Sequence, residues 1–149
     1  MVHIIDGNIL DSKEDIIAHQ CNCTSFTWSG VAKVIFDTHP YSNTYYPKFN
    51  SVRIPGKFSI HGTGKQRVIA NLYAQVYKGK PLKGGTDTYT KRKHYFKTSL
   101  QDMMKDNLGK SVALPFNIGC GLAGGRWEDY LDMVTEAASR YGDIILYRI

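Results

Sequence analysis

Helix-like and strand-like segments alternate along the chain, most clearly in its second half. Apolar residues recur at helical spacing over residues 89–107 and again over Trp127–Tyr141. A short apolar run at 111–115 separates the two helices, and residues 144–147 end the chain as a further strand. Two strands that are connected through a helix typically lie parallel in the same sheet. This order therefore predicts an α/β fold with a mixed, largely parallel sheet covered by helices on both faces.

The first half of the chain adds one helix and several shorter apolar segments. Apolar residues at helical spacing predict a helix over Gly30–Thr38, which Pro40 limits. A turn at 61–65 favours a hairpin, and a turn-rich aromatic stretch covers 41–49. Without an internal repeat or a linker, we predict one domain over residues 1–149. Strands are predicted at residues 2–5, 16–20, 57–61 and 68–74.

The charge balance favours an anionic partner. The chain has 19 Lys and Arg against 13 Asp and Glu, a formal net charge of +6, which suits nucleotides, phosphorylated metabolites, nucleic acid and anionic membranes alike. No apolar run approaches the roughly 20 residues of a membrane helix, and the amino terminus lacks the pattern of a secretory signal. We therefore expect an intracellular protein, cytoplasmic or nuclear, with reduced cysteines and no membrane partner.

A glycine-rich loop follows the strand that ends at Pro115. It reads Ile118-Gly119-Cys120-Gly121-Leu122-Ala123-Gly124-Gly125 and leads to the helix that begins at Trp127. Glycines let backbone N–H groups approach a ligand closely, and a helix amino terminus attracts anions. A pyrophosphate suits such a loop, but a tight turn whose glycines serve packing alone explains the same pattern.

A second candidate loop follows the strand that ends at Gln20. Asn22 offers a donor and an acceptor for a pair of ribose hydroxyls, and Ser29-Gly30 stands at a helix start. Taken alone, an asparagine here is more often a loop cap than a ligand contact. Both loops continue strands at their carboxyl ends, where open α/β sheets bind ligands.

Other site chemistries have weaker support in the sequence. Cys21 and Cys23 form a CxC pair without the paired spacing of structural zinc sites, so we expect no metal. Cys120 lies before a helix, whose amino terminus could lower the thiol pKa and allow nucleophilic chemistry, but packing of a small thiol is the stronger explanation. The basic stretch at 78–93 lacks interleaved aromatic motifs, so a nucleic acid partner is not expected.

Taken in order, these segments resemble the macro domain family. The likeness spans residues 2–149 and is closest to the branch with the fungal ADP-ribose-1''-phosphate phosphatases and the terminal ADP-ribose protein glycohydrolase. The resemblance implies a three-layer α/β/α fold around a mixed sheet and a cleft for ADP-ribose. The segments that carry it are Gly7-Asn8-Ile9-Leu10, His19-Gln20-Cys21-Asn22-Cys23, Ser29-Gly30-Val31-Ala32, Ala113-Leu114-Pro115, Ile118-Gly119-Cys120-Gly121-Leu122 and Trp127.

The resemblance also implies roles for individual residues. Asn8 and the backbone of Ile9 match the position that recognises the adenine edge, Tyr147 stands beside the adenine, and Asn22 contacts the distal ribose. The residues implied at the diphosphate are Ser29, Gly30 and Val31 in the first loop and Ile118, Gly119, Cys120, Gly121, Leu122 and Ala123 in the second.

Catalysis is implied through His19, which matches a histidine of the phosphatase-like subgroup and can transfer protons near neutral pH. A buried histidine bonded to its surroundings is the alternative. The glycohydrolase branch uses a lysine and an aspartate where this chain has Gln75 and Ala123, so we do not expect that mechanism.

Two functions follow from this resemblance. The leading hypothesis is a hydrolase without a cofactor that acts on the distal ribose of an ADP-ribose derivative such as ADP-ribose-1''-phosphate. The alternative is a non-catalytic protein that recognises free or protein-linked ADP-ribose. In both cases we expect a monomer.

Overall fold

A six-stranded sheet runs through the centre of the structure. The computed structural model describes residues 1–45 and 52–149; part of the predicted aromatic stretch at 41–49 lies outside them. The strands are β1 (Val2–Asp6), β2 (Ile16–Asn22), β3 (Phe58–His61), β4 (Val68–Gln75), β5 (Val112–Pro115) and β6 (Ile144–Arg148). Their order across the sheet is β1-β6-β5-β2-β4-β3, and only the β3-β4 hairpin is antiparallel. The predicted mixed sheet is confirmed.

Helices cover both faces of the sheet. Helix α1 (Gly30–Thr38) packs Ile35 and Phe36 on one face, against a cluster that includes Ile17 and Tyr73. Helices α2 (Tyr89–Asp106) and α3 (Trp127–Tyr141) cover the other face, with Phe96 and Val134 in the second core cluster. The three-layer α/β/α arrangement is therefore confirmed. In the described part of the chain, no helix combines the length and the apolarity needed to cross a bilayer.

The central strand β2 explains why the sequence there is almost continuously apolar. Ile16, Ile17 and Ala18 are at most 2% exposed, because helices cover both faces of this strand. The strand also runs two residues beyond its predicted end at Gln20, since pairing with β4 continues through Cys21 and Asn22. An irregularity in the pairing between Cys21 and Asn22 places Asn22 opposite Gln75.

The neighbouring strands β2 and β5 define the position of the site. They run parallel to each other, yet β2 leads into α1 on one face while β5 leads into α3 on the opposite face. The loops that follow them therefore diverge and leave a crevice at the carboxyl ends of the strands. Such a switch point is where open α/β sheets bind their ligands.

Candidate functional site

A cleft with a volume of about 820 Å³ opens at this switch point. The size falls within the ordinary range for small-molecule sites. Its walls come from the loop after β2 with the first turn of α1, from the loop after β5, and from the loop after β4. Of the residues predicted from the sequence, the cleft brings together Asn22, Ser29, Gly30, Val31, Ile118, Gly119, Gly121, Leu122 and Ala123.

The loop after β5 presents backbone N–H groups at the cleft. Successive turns use some of these groups internally: the N–H of Cys120 donates to the carbonyl of Asn117 at 2.9 Å, and the N–H of Gly125 donates to that of Gly119 at 2.9 Å. No described residue accepts a hydrogen bond from the N–H of Gly121, Leu122 or Ala123. Because these three residues line the cleft, their N–H groups are suited to an anionic ligand.

Two glycines of this loop differ in whether the fold leaves room for a side chain. Gly119 has a φ of 78°, and a Cβ atom there would lie 2.5 Å from the ring of Tyr130. Glycine at position 119 is therefore required by the fold. Gly121 has no positive φ, and a Cβ atom there would meet no protein atom within 4 Å. A side chain at position 121 would instead occupy the space of the cleft.

The first turn of α1 forms the opposite wall. Ser29 precedes the helix, but its side chain makes no capping bond, so the first N–H groups of α1 are not satisfied by that residue. Gly30 has a φ of 60°, and a Cβ atom there would lie 3.8 Å from Cδ1 of Leu122. The two loops thus meet across the cleft, and no described residue accepts the N–H groups of Gly30, Val31 or Ala32 on the α1 side.

Asn22 lies at the end of the cleft where β2 and β4 end. Its side-chain oxygen accepts the N–H groups of Thr24 at 3.2 Å and of Ser25 at 2.9 Å, so it shapes the loop in the manner of a cap. No described residue accepts a hydrogen bond from its amide nitrogen. One atom of the side chain therefore supports the loop, while the other is available as a donor.

Four predicted residues do not line the cleft. The side chain of Asn8 accepts the N–H of Leu10 at 3.0 Å and caps a short helical turn, and Ile9 is buried in the core cluster beside α1. Tyr147 donates to a carboxylate oxygen of Glu14 at 2.5 Å. Cys120 uses its N–H within the loop, as described above. The ligand contacts implied for these residues are not supported by their placement and stay predictions.

His19 also lies outside the cleft, because strand residues alternate between faces. It is fully buried, with its ring in edge contact with Phe36 of α1. Nε2 lies 2.8 Å from Oδ1 of Asn71, whose amide nitrogen donates to the carbonyl of Ser42 at 2.9 Å. Nε2 is therefore the protonated nitrogen. Burial lowers the pKa of His19 to about 4, and this placement does not support proton transfer to a ligand in the cleft.

Comparison with solved structures gives the fold a precedent. The macrodomain of Mycobacterium tuberculosis DarG is 21% identical, with a TM-score of 0.79 over 99% of this chain and 97% of that one. The macrodomain of Thermus aquaticus DarG is 20% identical, with a TM-score of 0.75 over 99% of this chain and 97% of that one. This chain has the macrodomain fold.

A further macrodomain-fold neighbour comes from a larger protein. The structure titled Thermosipho africanus DarTG in complex with ADP-ribose is 13% identical, with a TM-score of 0.68; the match covers 99% of this chain and 42% of that one. No protein-family model and no curated protein sequence matches the chain. The likeness therefore rests on structure, at identities where residue roles cannot be transferred directly.

Within the macrodomain fold, the cleft contains residues that the sequence did not identify as ligand contacts. Gln20 and Gln75 are joined at its base, with Nε2 of Gln20 donating to Oε1 of Gln75 at 2.7 Å. Tyr45 lines the cleft from the segment after α1, and its hydroxyl accepts the N–H of Asn22 at 2.6 Å. Their contribution depends on tertiary proximity, which leaves no local signal in the sequence.

Lys78 is a further cleft residue that the sequence did not identify. It belongs to the basic stretch at 78–93 and is exposed, and the loop after β4 brings it to the cleft beside Gly79. This loop adjoins the one that contains Asn22, because the N–H of Cys23 donates to the carbonyl of Val76 at 3.0 Å. Lys78 therefore supplies positive charge at the Asn22 end of the macrodomain cleft.

The described residues that line the macrodomain cleft include no Asp, Glu, His or Cys. Burial raises the pKa of the Cys120 thiol to about 11, which fits packing of a small thiol rather than a nucleophile. Burial also raises the pKa of Cys23 to about 12. The cleft thus combines unpaired N–H groups, amide side chains and one cation, a set suited to binding an anion.

Proposed function

We propose that the cleft binds ADP-ribose, with the diphosphate between the loops that follow β2 and β5. The observation that carries this proposal is the convergence of unpaired N–H groups at Gly121, Leu122 and Ala123 with the first turn of α1 across one cleft. N–H groups in turns and at helix starts stabilise phosphate oxygens. The neighbour that was determined in complex with ADP-ribose supports the same ligand.

The other end of the ligand is proposed to lie at Asn22. The free amide nitrogen of this side chain can donate to a hydroxyl of the distal ribose. Lys78 lies at the same end and adds favourable charge toward the diphosphate or toward a group carried on the distal sugar.

Calorimetric titration tests the proposal. ADP-ribose should bind more tightly than ADP, and ADP more tightly than AMP, because each step adds contacts along the cleft. A wild-type protein that binds AMP as tightly as ADP-ribose, or that binds none of the three, would contradict it.

For the outcome of binding, we propose recognition without turnover. The described residues that line the cleft supply no carboxylate, imidazole or thiol that could take a proton from water, and His19 lies beneath α1. The protein would then recognise ADP-ribose, either free or attached to a protein, and hold it intact.

Hydrolysis at the distal ribose is the second candidate, with ADP-ribose-1''-phosphate as the substrate. The cation of Lys78 supports it, because a positive charge beside the distal ribose would stabilise a departing phosphate. Incubation of the protein with ADP-ribose-1''-phosphate, followed by assay of inorganic phosphate, separates the candidates. Release above a buffer control supports the phosphatase, and tight binding without turnover of any ADP-ribose phosphate, ester or glycoside supports the non-catalytic function.

A further inference from the structure

One buried ion pair lies directly beside the cleft. The guanidinium of Arg92, on the first turn of α2, is 1% exposed, and the carboxylate of Asp87 is fully buried. Nη2 of Arg92 donates to Oδ2 of Asp87 at 2.6 Å, and Nε donates to Oδ1 at 3.0 Å. A pair of buried charges is costly to desolvate, so its geometry has to be good and its remaining hydrogen-bonding groups satisfied.

Asp87 satisfies the backbone that leaves β4. Oδ1 accepts the N–H of Val76 at 2.8 Å, and Oδ2 accepts the N–H of Tyr77 at 3.0 Å. Burial alone would raise the pKa of this carboxyl, but the bonds from Arg92, Val76 and Tyr77 outweigh burial and hold the pKa below its ordinary value. The carboxylate therefore fixes the first two residues of the loop after β4.

Arg92 holds the rest of the same loop. Nη1 donates to the carbonyl of Gly79 at 2.6 Å, and Nη2 donates to the carbonyls of Tyr77 at 3.1 Å and Lys80 at 3.3 Å. The loop is thus folded around the guanidinium. Lys78 and Gly79 of this loop line the cleft, so the guanidinium determines the position of these two residues in the cleft wall.

The guanidinium also reaches the glycine loop after β5. Nη1 donates to the carbonyl of Ala123 at 3.2 Å, and Ala123 lines the same cleft. The two loops approach closely there, since a Cβ atom at Gly124 would lie 3.1 Å from Cγ of Lys80. Strands β4 and β5 are not neighbours in the sheet, so Arg92 links two loops that no strand pairing connects.

We propose that Arg92 is a positioning residue that fixes the spacing between the loop after β4 and the glycine loop, and so selects ligands that extend past the first phosphate. The inference rests on the proposed function, since it concerns the diphosphate and distal-ribose end of the same cleft. A ligand that stops at a single phosphate does not need both loops at their set spacing. A ligand with a second phosphate and a second sugar contacts both loops and therefore needs that spacing.

Replacing Arg92 by Lys gives a sharp test, because it keeps the positive charge opposite Asp87. An ammonium has three donors on a single atom, whereas a guanidinium presents five in a fixed plane. Lysine cannot reach Asp87 and the carbonyls of Gly79 and Ala123 together. In calorimetric titration, Arg92→Lys should weaken ADP-ribose binding about tenfold, as expected for the loss of a charge-assisted hydrogen bond, and leave AMP binding within about twofold. Equal losses for both ligands, or no loss for ADP-ribose, would overturn the inference.

A matched variant separates positioning from general stability. Met103 is fully buried in the core on the same helix and does not line the cleft. Met103→Ala should lower the melting temperature through a core cavity while keeping the wild-type ratio of ADP-ribose to AMP affinity. A change in that ratio in Met103→Ala equal to the change in Arg92→Lys would also overturn the inference.

Amide hydrogen exchange in the wild-type protein covers the case in which Arg92→Lys does not fold. The N–H groups of Val76 and Tyr77 should exchange as slowly as those in the middle of β4, because Asp87 and Arg92 hold them in the folded state. Fast exchange at both positions would refute the proposed positioning. If the wild type binds neither nucleotide, the proposed function fails, whereas slow exchange would still show that the loop is held.

Discussion

At the scale of single residues, Gly121 and Gly119 have opposite expected responses to mutation. A side chain at 121 meets no protein atom within 4 Å, so Gly121→Val should fold with a nearly unchanged melting temperature. It should weaken ADP-ribose binding at least about tenfold, since the side chain takes the space of the diphosphate. Gly84→Val is the control, because position 84 is also open but does not line the cleft. Full affinity in a folded Gly121→Val protein would contradict the placement of the diphosphate.

Gly119 should behave differently, because its role is in the fold. Alanine there would adopt a φ of 78° and approach the ring of Tyr130 to 2.5 Å. We expect Gly119→Ala to lose about 1–3 kcal/mol of unfolding free energy, the range for a strained left-handed residue. Chemical denaturation measures this loss, and a variant as stable as the wild type would show that the turn tolerates a side chain.

At the scale of elements, local signals predicted helices better than they predicted the limits of strands. The bounds of α1 and α3 agree with the prediction because Pro40 and Gly142 mark helix ends within a few residues. The end of β2 did not agree, since pairing with β4 rather than any local residue extends it to Asn22. Lys78 and Tyr45 were missed as cleft residues for the same reason, because loops bring them there only in the folded chain.

The loop after β2 provides an element-scale prediction. The hydroxyl of Tyr45 accepts the N–H of Asn22 at 2.6 Å, and both residues are buried. Tyr45→Phe would leave that N–H without its acceptor, at a cost of about 1–3 kcal/mol. We expect reduced stability in urea and weaker ADP-ribose binding, because the strand end that carries Asn22 would lose its support. An unchanged unfolding midpoint would argue that this bond contributes nothing.

At the scale of the whole molecule, His19 should make stability depend on pH. Burial lowers the pKa of His19 in the folded state to about 4, below its ordinary value of 6.5. Between these two pH values His19 is protonated in the unfolded chain but neutral in the folded one. Its contribution to stability is therefore full above pH 6.5 and declines as the pH falls toward 4. The loss from this one group is about 3 kcal/mol.

Urea denaturation at a series of pH values measures that dependence. His19→Gln keeps a donor for Asn71 but cannot take up a proton, so its unfolding free energy should fall less steeply than that of the wild type between pH 6.5 and 4.5. His39 and His61, whose pKa values burial also lowers, remain in both proteins and cancel in the comparison. Identical slopes would show that His19 does not titrate as proposed.

In the proposed complex, backbone amides from two loops hold one diphosphate. Titration of ¹⁵N-labelled wild-type protein with ADP-ribose, followed by amide chemical shifts, examines those groups individually. The largest shifts should fall on Gly121, Leu122 and Ala123 and on the first turn of α1, with ADP reproducing them and with Cys120 and Gly125, whose N–H groups are used internally, shifting less. Shifts confined to other surfaces, or none at saturating ligand, would contradict the account.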